Sequence, residues 1–172
     1  MSDLRIRPIS IQDTSNIVRW RNKDFVRKNL YSQDLISEEQ HLSYFRKYVE
    51  THQCYQYIIC VDGIDVGTVF LKNFDSITKK AEFGIFIGEE TALGHHYGTR
   101  ATELILQEAF QKYQLNRVYL TVFADNKKAI SAYENAGFKV EGTFIDDFWD
   151  GSVYHDIVSM AILAKDWQQN HL

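Results

Sequence analysis

Strand-like and helix-like patterns alternate after residue 80, and this alternation constrains the fold more than any other feature of the chain. AEFGIFIG (81–88) and NRVYLTVFA (116–124) are rich in the β-branched and aromatic residues that strands favour. Residues 97–113, between them, carry a polar stripe at every fourth position, as an amphipathic helix does. NKKAISAYENA (126–136) has a second helical pattern, which Gly137 ends. The pattern predicts an α/β fold.

The N-terminal half has a similar mixture of patterns. Residues 4–9 alternate apolar and polar side chains, which favours a strand, and residues 11–22 look helical. Ser37 and Gln40 have the spacing of a capping box, which predicts the start of a helix that runs to about residue 50.

Two Asp-Gly pairs predict tight hairpin turns between strands. Asp62-Gly63 lies between CYQYIICV and DVGTVFLKNF, and Asp150-Gly151 lies between the last two predicted strands. The predicted order is β-α-α-β-β-β-α-β-α-β-β, with about six to seven strands in one mixed sheet. Because the chain has no repeat and no linker, we expect residues 1–172 to form a single domain.

Composition excludes several classes of function. The net charge of −4 and the pI of about 5.8 argue against a nucleic-acid partner. We expect no signal peptide, and no apolar run approaches the roughly 20 residues of a membrane span. Cys54 and Cys60 lie on one extended segment, too far apart to bridge, so we expect reduced thiols and a cytoplasmic location.

The segment LGHHYGTR (93–100) joins a predicted strand to a predicted helix. The first N–H groups of a helix lack internal partners and carry partial positive charge, so they suit a pyrophosphate. A plain connection is an equally good interpretation of two glycines before a helix. A metal site at His95-His96 is disfavoured, because adjacent residues point in different directions and the chain has no Cys/His cluster.

The combination of AEFGIFIG, a glycine loop, a helix, VYLTVFADN and NKKAISAYENAGF resembles the core of the GCN5-related N-acetyltransferase (GNAT) superfamily. The downstream pattern Asn-x-x-Ala-x-x-x-Tyr-x-x-x-Gly-Phe is complete. The loop departs from the family's Gln/Arg-x-x-Gly-x-Gly/Ala motif at Leu93 and His96 and keeps Gly98. The resemblance implies a GNAT fold and direct transfer of an acetyl group from acetyl-CoA, the co-substrate, to a primary amine, with no metal.

The resemblance also implies where acetyl-CoA binds. Strand 81–88 would splay from strand 117–123, and the pantetheine arm would lie in the gap, bonded by backbone groups of Phe86 and Ile87. Asn126 would bond the pantetheine or cap its helix. Backbone N–H groups of the loop would hold the pyrophosphate; these belong to Gly94, His95, His96, Tyr97, Gly98 and Thr99.

Tyr133 occupies the family's general-acid position, where a phenol would protonate the departing thiolate. The alternative is that its ring only packs against the core. Glu82 would accept the proton of the amine, or would be an outward residue paired with Lys79 or Lys80. His41 is a rival base, since imidazole titrates near neutrality.

The N-terminal half indicates the acceptor. Trp20-Arg21-Asn22, Val26-Arg27 and Ile36-Ser37 through His41 to Phe45 resemble the N-acetyltransferases of pseudaminic-acid biosynthesis, which act on a UDP-linked 4-amino sugar. A nucleotide diphosphate requires cations, which Arg21, Arg27 and Lys72 would supply. His41 would lie near the substrate, and Phe83 would face the uracil or the sugar.

Three alternatives stay open at this point. The C-terminal half equally resembles spermidine and ribosomal-protein alanine N-acetyltransferases, and a polyamine would need an acidic pocket, for which Asp34, Glu38 and Glu39 are candidates. A non-catalytic acyl-CoA-binding module is the third.

The aromatic hairpin FWDGSVY (148–154) would either contact a second copy in a homodimer or complete the sheet.

Overall fold

The computed structural model describes residues 2–169 and contains one seven-stranded sheet. Its strands are β1 (Leu4–Pro8), β2 (Cys54–Val61), β3 (Ile64–Asp75), β4 (Lys80–Ile87), β5 (Arg117–Phe123), β6 (Lys139–Trp149) and β7 (Tyr154–Leu163). The spatial order is β1-β2-β3-β4-β5-β7-β6. All neighbours are antiparallel except β4 and β5, which are parallel. The predicted mixed sheet is therefore confirmed.

Six α-helices accompany the sheet. They are α1 (Thr14–Arg21), α2 (Asp24–Arg27), α3 (Glu38–Tyr44), α4 (Tyr97–Gln107), α5 (Lys127–Asn135) and α6 (Ala164–Gln169). The predicted helices at 37–50 and 97–113 each end in a π-helical turn, at Phe45–Val49 and Glu108–Lys112. The sequence analysis did not predict α2 or α6, which are only four and six residues long.

The local signals of the sequence have the expected structures. Ser37 accepts a hydrogen bond from the Gln40 N–H, and the Gln40 side chain accepts one from the Ser37 N–H, so the capping box is present. Asp62 and Gly63 both have positive φ, at 49° and 83°, as a two-residue type I′ hairpin turn requires. The turn after Asp150 is closed by the Asp150 N–H and the Val153 carbonyl.

The two faces of the sheet carry separate cores. The larger core includes Ala101 and Ile105 of α4, Phe83 of β4 and Trp167 of α6. A smaller core on the opposite face contains Ile9, Ile17, Trp20, Phe45 and Ile58, with Phe86 packed against it. Successive side chains of a strand point to opposite faces, so β4 contributes to both cores.

Cys54 and Cys60 are free and buried, as predicted. Within residues 2–169, no helix combines the length and the apolar character that crossing a membrane would require.

Candidate functional site

The sheet opens between β4 and β5. Their pairing covers only Lys80↔Arg117, Ala81↔Val118 and Glu82↔Tyr119, although both strands continue beyond it. Beyond this point the two strands do not pair, which leaves a gap between them. Glu82 is the last residue of β4 that pairs with β5, so it lies at the closed end of the gap.

The backbone groups that face the gap follow from strand alternation. Gly88 N–H bonds to the Val66 carbonyl of β3, and the Lys79 carbonyl accepts bonds from Asn116 and Arg117 on the β5 side. Alternate residues of a strand direct their N–H and C=O groups to opposite neighbours. The odd-numbered residues after Ala81 therefore face the gap with groups that pair with no strand: Phe83, Ile85 and Ile87.

The same argument corrects one prediction. Phe86 has the parity of Gly88, so its N–H and C=O groups take part in the ladder with β3 and do not face the gap. The backbone groups of Ile87 face the gap, and their contact with the pantetheine arm stays a prediction. On the other side, Ala124 N–H bonds to Asp156, so Thr121 and Phe123 direct their backbone groups into the gap.

The loop after β4 leads into the N-terminus of α4 in a left-handed conformation. Gly94 has φ 82°, and His96, the N-cap, has φ 60° and ψ 16°. No side chain caps this helix, so its first N–H groups are left for another acceptor. A Cβ built on Gly94 or Gly98 would meet nothing within 4 Å, so both glycines border open space. These features fit the predicted pyrophosphate site.

His95 and His96 have no metal-site geometry. The His95 ring stacks on Tyr97, with centroids 5.4 Å apart. In the part of the chain from residue 2 to 169, no group of three or more His, Cys, Asp and Glu side chains is arranged to hold a metal ion. His171 lies outside the described residues. Thr99 lies in the first turn of α4, so its N–H is among those left without an intrahelical partner.

Tyr133 lies on α5 beside the gap. Its ring packs edge-on against Phe83, with centroids 5.7 Å apart, and at 6.0 Å from Phe138. Burial raises the pKa of Tyr133 to about 12, and the nearby Tyr31 adds to the shift. The phenol therefore holds its proton at neutral pH, as a general acid must.

The Phe83 side chain lies in the core and not at the substrate site for which it was predicted. Only 4% of its surface is exposed, and its ring packs between Tyr133 and Phe138 in the larger core. The prediction that this ring faces a uracil or a sugar is therefore wrong. Phe83 supports Tyr133 instead, and its backbone faces the gap.

Asn126 caps α5, as one of its two predicted roles required. Its Oδ1 accepts a bond from the Ala129 N–H at 3.2 Å, and its Nδ2 donates to Asn29 Oδ1 at 3.2 Å. Its contact with the pantetheine arm stays a prediction.

Glu82 pairs with neither Lys79 nor Lys80. Its carboxylate accepts a bond from Asn73 Nδ2 at 2.6 Å and lies 3.5 Å from Lys72 Nζ. Lys72 therefore already has an anionic partner, which leaves it less suited to the predicted diphosphate contact. Its predicted role in substrate binding stays a prediction.

Tyr31 lies over the gap from the loop of residues 28–36, which we call the acceptor loop. Its hydroxyl donates to Thr121 Oγ1 at 2.7 Å, and its ring packs against Phe123 and Phe148. Burial is the main cause that raises the Tyr31 pKa, and the charges of Glu82 and Asp147 raise it further. The charges of Glu82 and Asp147 thus act on the same side of the gap as Tyr31, and Tyr31 in turn acts on the pKa of Tyr133.

The predicted substrate arginines hold this loop in place. Arg21 donates to the Ser32 carbonyl, and Arg27 donates to the Gln33 carbonyl at 2.9 Å. Burial and the charge of Arg27 lower the pKa of Arg21. Each arginine also has one buried nitrogen without a protein partner, Arg21 Nη1 and Arg27 Nε.

His41 is not at the surface of the site. It is 5% exposed, and its Nδ1 lies 3.1 Å from Thr14 Oγ1. Burial lowers its pKa, so the ring is neutral at pH 7. The predictions that His41 contacts the acceptor or serves as its base are wrong, because its ring is enclosed between α1 and α3.

The sequence analysis missed Tyr31, Thr121 and Asp147. Tyr31 and Thr121 are 90 residues apart, and no local pattern links them. An exposed tyrosine in a polar loop was the only signal available.

Comparison with known proteins gives a consistent result. Residues 3–139 match the family described as "Acetyltransferase (GNAT) domain". The spermidine N(1)-acetyltransferase of Escherichia coli is 25% identical over 98% of this chain and 90% of the relative. The putative ribosomal N-acetyltransferase YdaF of Bacillus subtilis is 27% identical over 95% of this chain and 87% of its own.

A solved structure has the same fold. The spermidine N-acetyltransferase of Vibrio cholerae, solved with CoA and spermine, superposes with a TM-score of 0.90 at 23% identity. The match covers 96% of this chain and 98% of that one.

Proposed function

The chain belongs to the GNAT acetyltransferase family, whose enzymes use acetyl-CoA, and on this premise we propose that it acetylates a primary amine of a small polycation of the spermidine class. The observation that carries the proposal is the acidic lining of the surface groove formed by Asp125, Asp146 and Asp156, and the charges of Glu82 and Asp147 that act on Tyr31 add to it. A cationic amine is attracted to a surface lined by carboxylates.

Acetyl-CoA supplies an activated thioester carbonyl when it is bound. Two parts of the structure are suited to hold acetyl-CoA. Backbone groups of Phe83, Ile85 and Ile87 that pair with no strand line one side of the gap, and those of Thr121 line the other. The uncapped N-terminus of α4, bordered by open space at Gly98, suits the pyrophosphate.

The chain's own residues handle the two protons of the reaction. Glu82 lies at the closed end of the gap and accepts the proton of the attacking amine, directly or through water. Tyr133 Oη holds a proton at neutral pH and donates it to the leaving sulfur. Asn73 and Lys72 orient the Glu82 carboxylate.

The surface near the gap supports a polycation as acceptor. An open groove of about 530 Å³ is lined by Asp125, Asp146 and Asp156 and by a single lysine, Lys127. This groove lies at the end of β5, and Asp146 precedes Asp147 in sequence. A second amine of a polyamine would find anionic partners there.

The UDP-linked amino sugar that the N-terminal half favoured is less well supported. Arg21 and Arg27 already donate hydrogen bonds to backbone carbonyls of the acceptor loop. Lys72 already faces Glu82. A diphosphate would also have to approach Glu82 and Asp147, which would repel it.

An acetyl-CoA-dependent thiol-release assay tests the proposal with three acceptors: spermidine, a UDP-linked 4-amino sugar, and a peptide with N-terminal Ser or Ala. Turnover with spermidine that falls in Asp147→Asn, but not in the charge-matched control Glu103→Gln, supports it. Turnover with only the sugar or the peptide overturns the acceptor class. CoA binding without any turnover would favour the non-catalytic module.

The predicted homodimer contact stays a prediction. The hairpin does complete the sheet, and β6 forms its edge, with Phe144, Ile145 and Trp149 each more than half exposed. An exposed edge strand with apolar side chains suits pairing with a second copy. Sedimentation of Ile145→Lys beside the unchanged protein checks it, and a dimer in both would place the contact elsewhere.

A further inference from the structure

Glu89 connects the end of β4 to α1, on the opposite face of the sheet from α4. Its carboxylate accepts hydrogen bonds from Arg19 Nη2 at 2.5 Å, Trp20 Nε1 at 2.7 Å and Lys23 Nζ at 3.1 Å. The sequence separation is about seventy residues. Three donors on one carboxylate fix its position well.

The neighbouring glycine is held by the same group of residues. Lys23 Nζ also donates to the Gly88 carbonyl at 2.7 Å. Trp20 is fully buried, and a Cβ on Gly88 would lie 2.1 Å from its Cγ. The indole therefore packs directly on the backbone of Gly88, while its N–H binds Glu89.

This anchor lies immediately before the segment that leads to α4. Glu90–Ala92 form a 3₁₀ turn, whose Ala92 N–H bonds to the Glu89 carbonyl at 3.0 Å, and the loop with Gly94 and His96 follows. The direction of the loop is thus set where β4 ends. This 3₁₀ turn and the loop of residues 93–96 connect Glu89 to the N–H groups at the start of α4.

Glu89 is negatively charged and lies on the segment that leads to the proposed anion site, so its charge needs compensation. Two cations, Arg19 and Lys23, compensate the charge of Glu89. Their hydrogen bonds, with that of Trp20, lower the pKa of Glu89 to about 2, so it remains ionised at neutral pH.

We propose that Glu89 is a positioning residue for acetyl-CoA: it fixes the end of β4 against α1 so that the loop and the first N–H groups of α4 are held in place for the pyrophosphate. The inference rests on the proposed role of this loop. Glu89 does not touch the co-substrate and acts through the backbone that follows it.

Calorimetric titration with CoA tests the inference in Glu89→Gln, with Glu90→Gln as the matched control. Glu90 is the adjacent exposed carboxylate. If proximity of charge alone mattered, both variants would bind CoA more tightly, because each removes a negative charge near an anion site. Positioning predicts the opposite sign for Glu89→Gln alone.

We expect the CoA dissociation constant of Glu89→Gln to rise about tenfold, less than the roughly 100-fold loss that a 1 Å misplacement can cause. At saturating acetyl-CoA its kcat should stay within about twofold, since Tyr133 and Glu82 are untouched. Equal CoA affinity in Glu89→Gln and Glu90→Gln would overturn the inference.

Lys23→Met provides a second test that does not depend on the folding of Glu89→Gln. It removes the bonds to the Gly88 carbonyl and to one Glu89 oxygen, so it should weaken CoA binding in the same direction. Unchanged affinity there would contradict the inference. If the unchanged protein itself failed to bind CoA, the proposed role of the loop would fall, and the inference with it.

Discussion

The Tyr31 hydroxyl donates a 2.7 Å hydrogen bond to Thr121 Oγ1 and so ties the acceptor loop to the strand on the far side of the gap. Asn29 and Asn126 make a second link between the same loop and α5, at 3.2 Å. The loop that would recognise the amine is therefore attached to the elements that would hold the thioester. These contacts hold the acceptor loop against the far side of the gap.

We predict that Tyr31→Phe raises the KM for the amine about threefold to tenfold, because the loss of one hydrogen bond costs about 0.5–1.5 kcal/mol. The ring and its packing against Phe123 and Phe148 are retained. Steady-state kinetics with spermidine measures the effect, and the KM for acetyl-CoA should not change. A larger effect on acetyl-CoA than on the amine would contradict the assignment of this loop.

For Tyr133→Phe we expect kcat to fall about 100-fold or more, the range in which a general acid contributes. The ring stays in place against Phe83 and Phe138, so CoA affinity and melting temperature should be close to those of the unchanged protein. Because the Tyr133 pKa is raised to about 12, its phenol should cause no loss of rate up to pH 10. A kcat within twofold would assign Tyr133 a packing role only.

The sequence was sufficient for the local parts of this structure. The spacing of Ser37 and Gln40 predicted the start of α3, and Asp62-Gly63 predicted a turn. Both predictions were possible because capping and turn chemistry depend on residues a few positions apart. It was also sufficient for the order of helices and strands along the chain and for the position of Tyr133 on a helix, which follows from a pattern that spans that helix.

Orientation and long-range contact were not predictable from the same information. A one-residue difference in parity decides that Ile87, and not Phe86, faces the gap, and that parity is set by the pairing with β3. His41 lies in a polar, helical segment whose pattern indicates an exposed position. The packing of α1 on α3 buries it instead. The partners of Glu89 lie about seventy residues away.

Gly98→Ala separates the stability of α4 from its use as an anion site. A Cβ at Gly98 meets no neighbour within 4 Å, and alanine favours a helix, so the melting temperature should be unchanged or slightly higher. The same Cβ would project into the space where the pyrophosphate is proposed to lie. We therefore expect weaker CoA binding in titration. Gly142→Ala, also in open space but on β6, is the control and should leave CoA affinity unchanged.

His41 makes the stability of the fold depend on pH in a direction that can be worked out. Burial lowers its pKa in the folded state, and the nearby Asp13 only partly opposes this. The unfolded chain, with a histidine pKa near 6.5, therefore binds a proton that the folded chain does not. Stability from the neutral ring is fully present above pH 6.5 or so and is lost as the pH falls below it.

We predict that the free energy of unfolding decreases by up to about 1.4 kcal/mol for each pH unit below 6.5, until the folded-state pKa is reached. Urea unfolding at pH 7.5 and 5.5 measures it. In His41→Gln this part of the dependence should disappear, since an amide at that position does not titrate, although the variant will be less stable at pH 7.5. His52→Gln, at an exposed position, is the matched control variant. An equal slope in His41→Gln and the unchanged protein would show that the pH dependence arises from other groups.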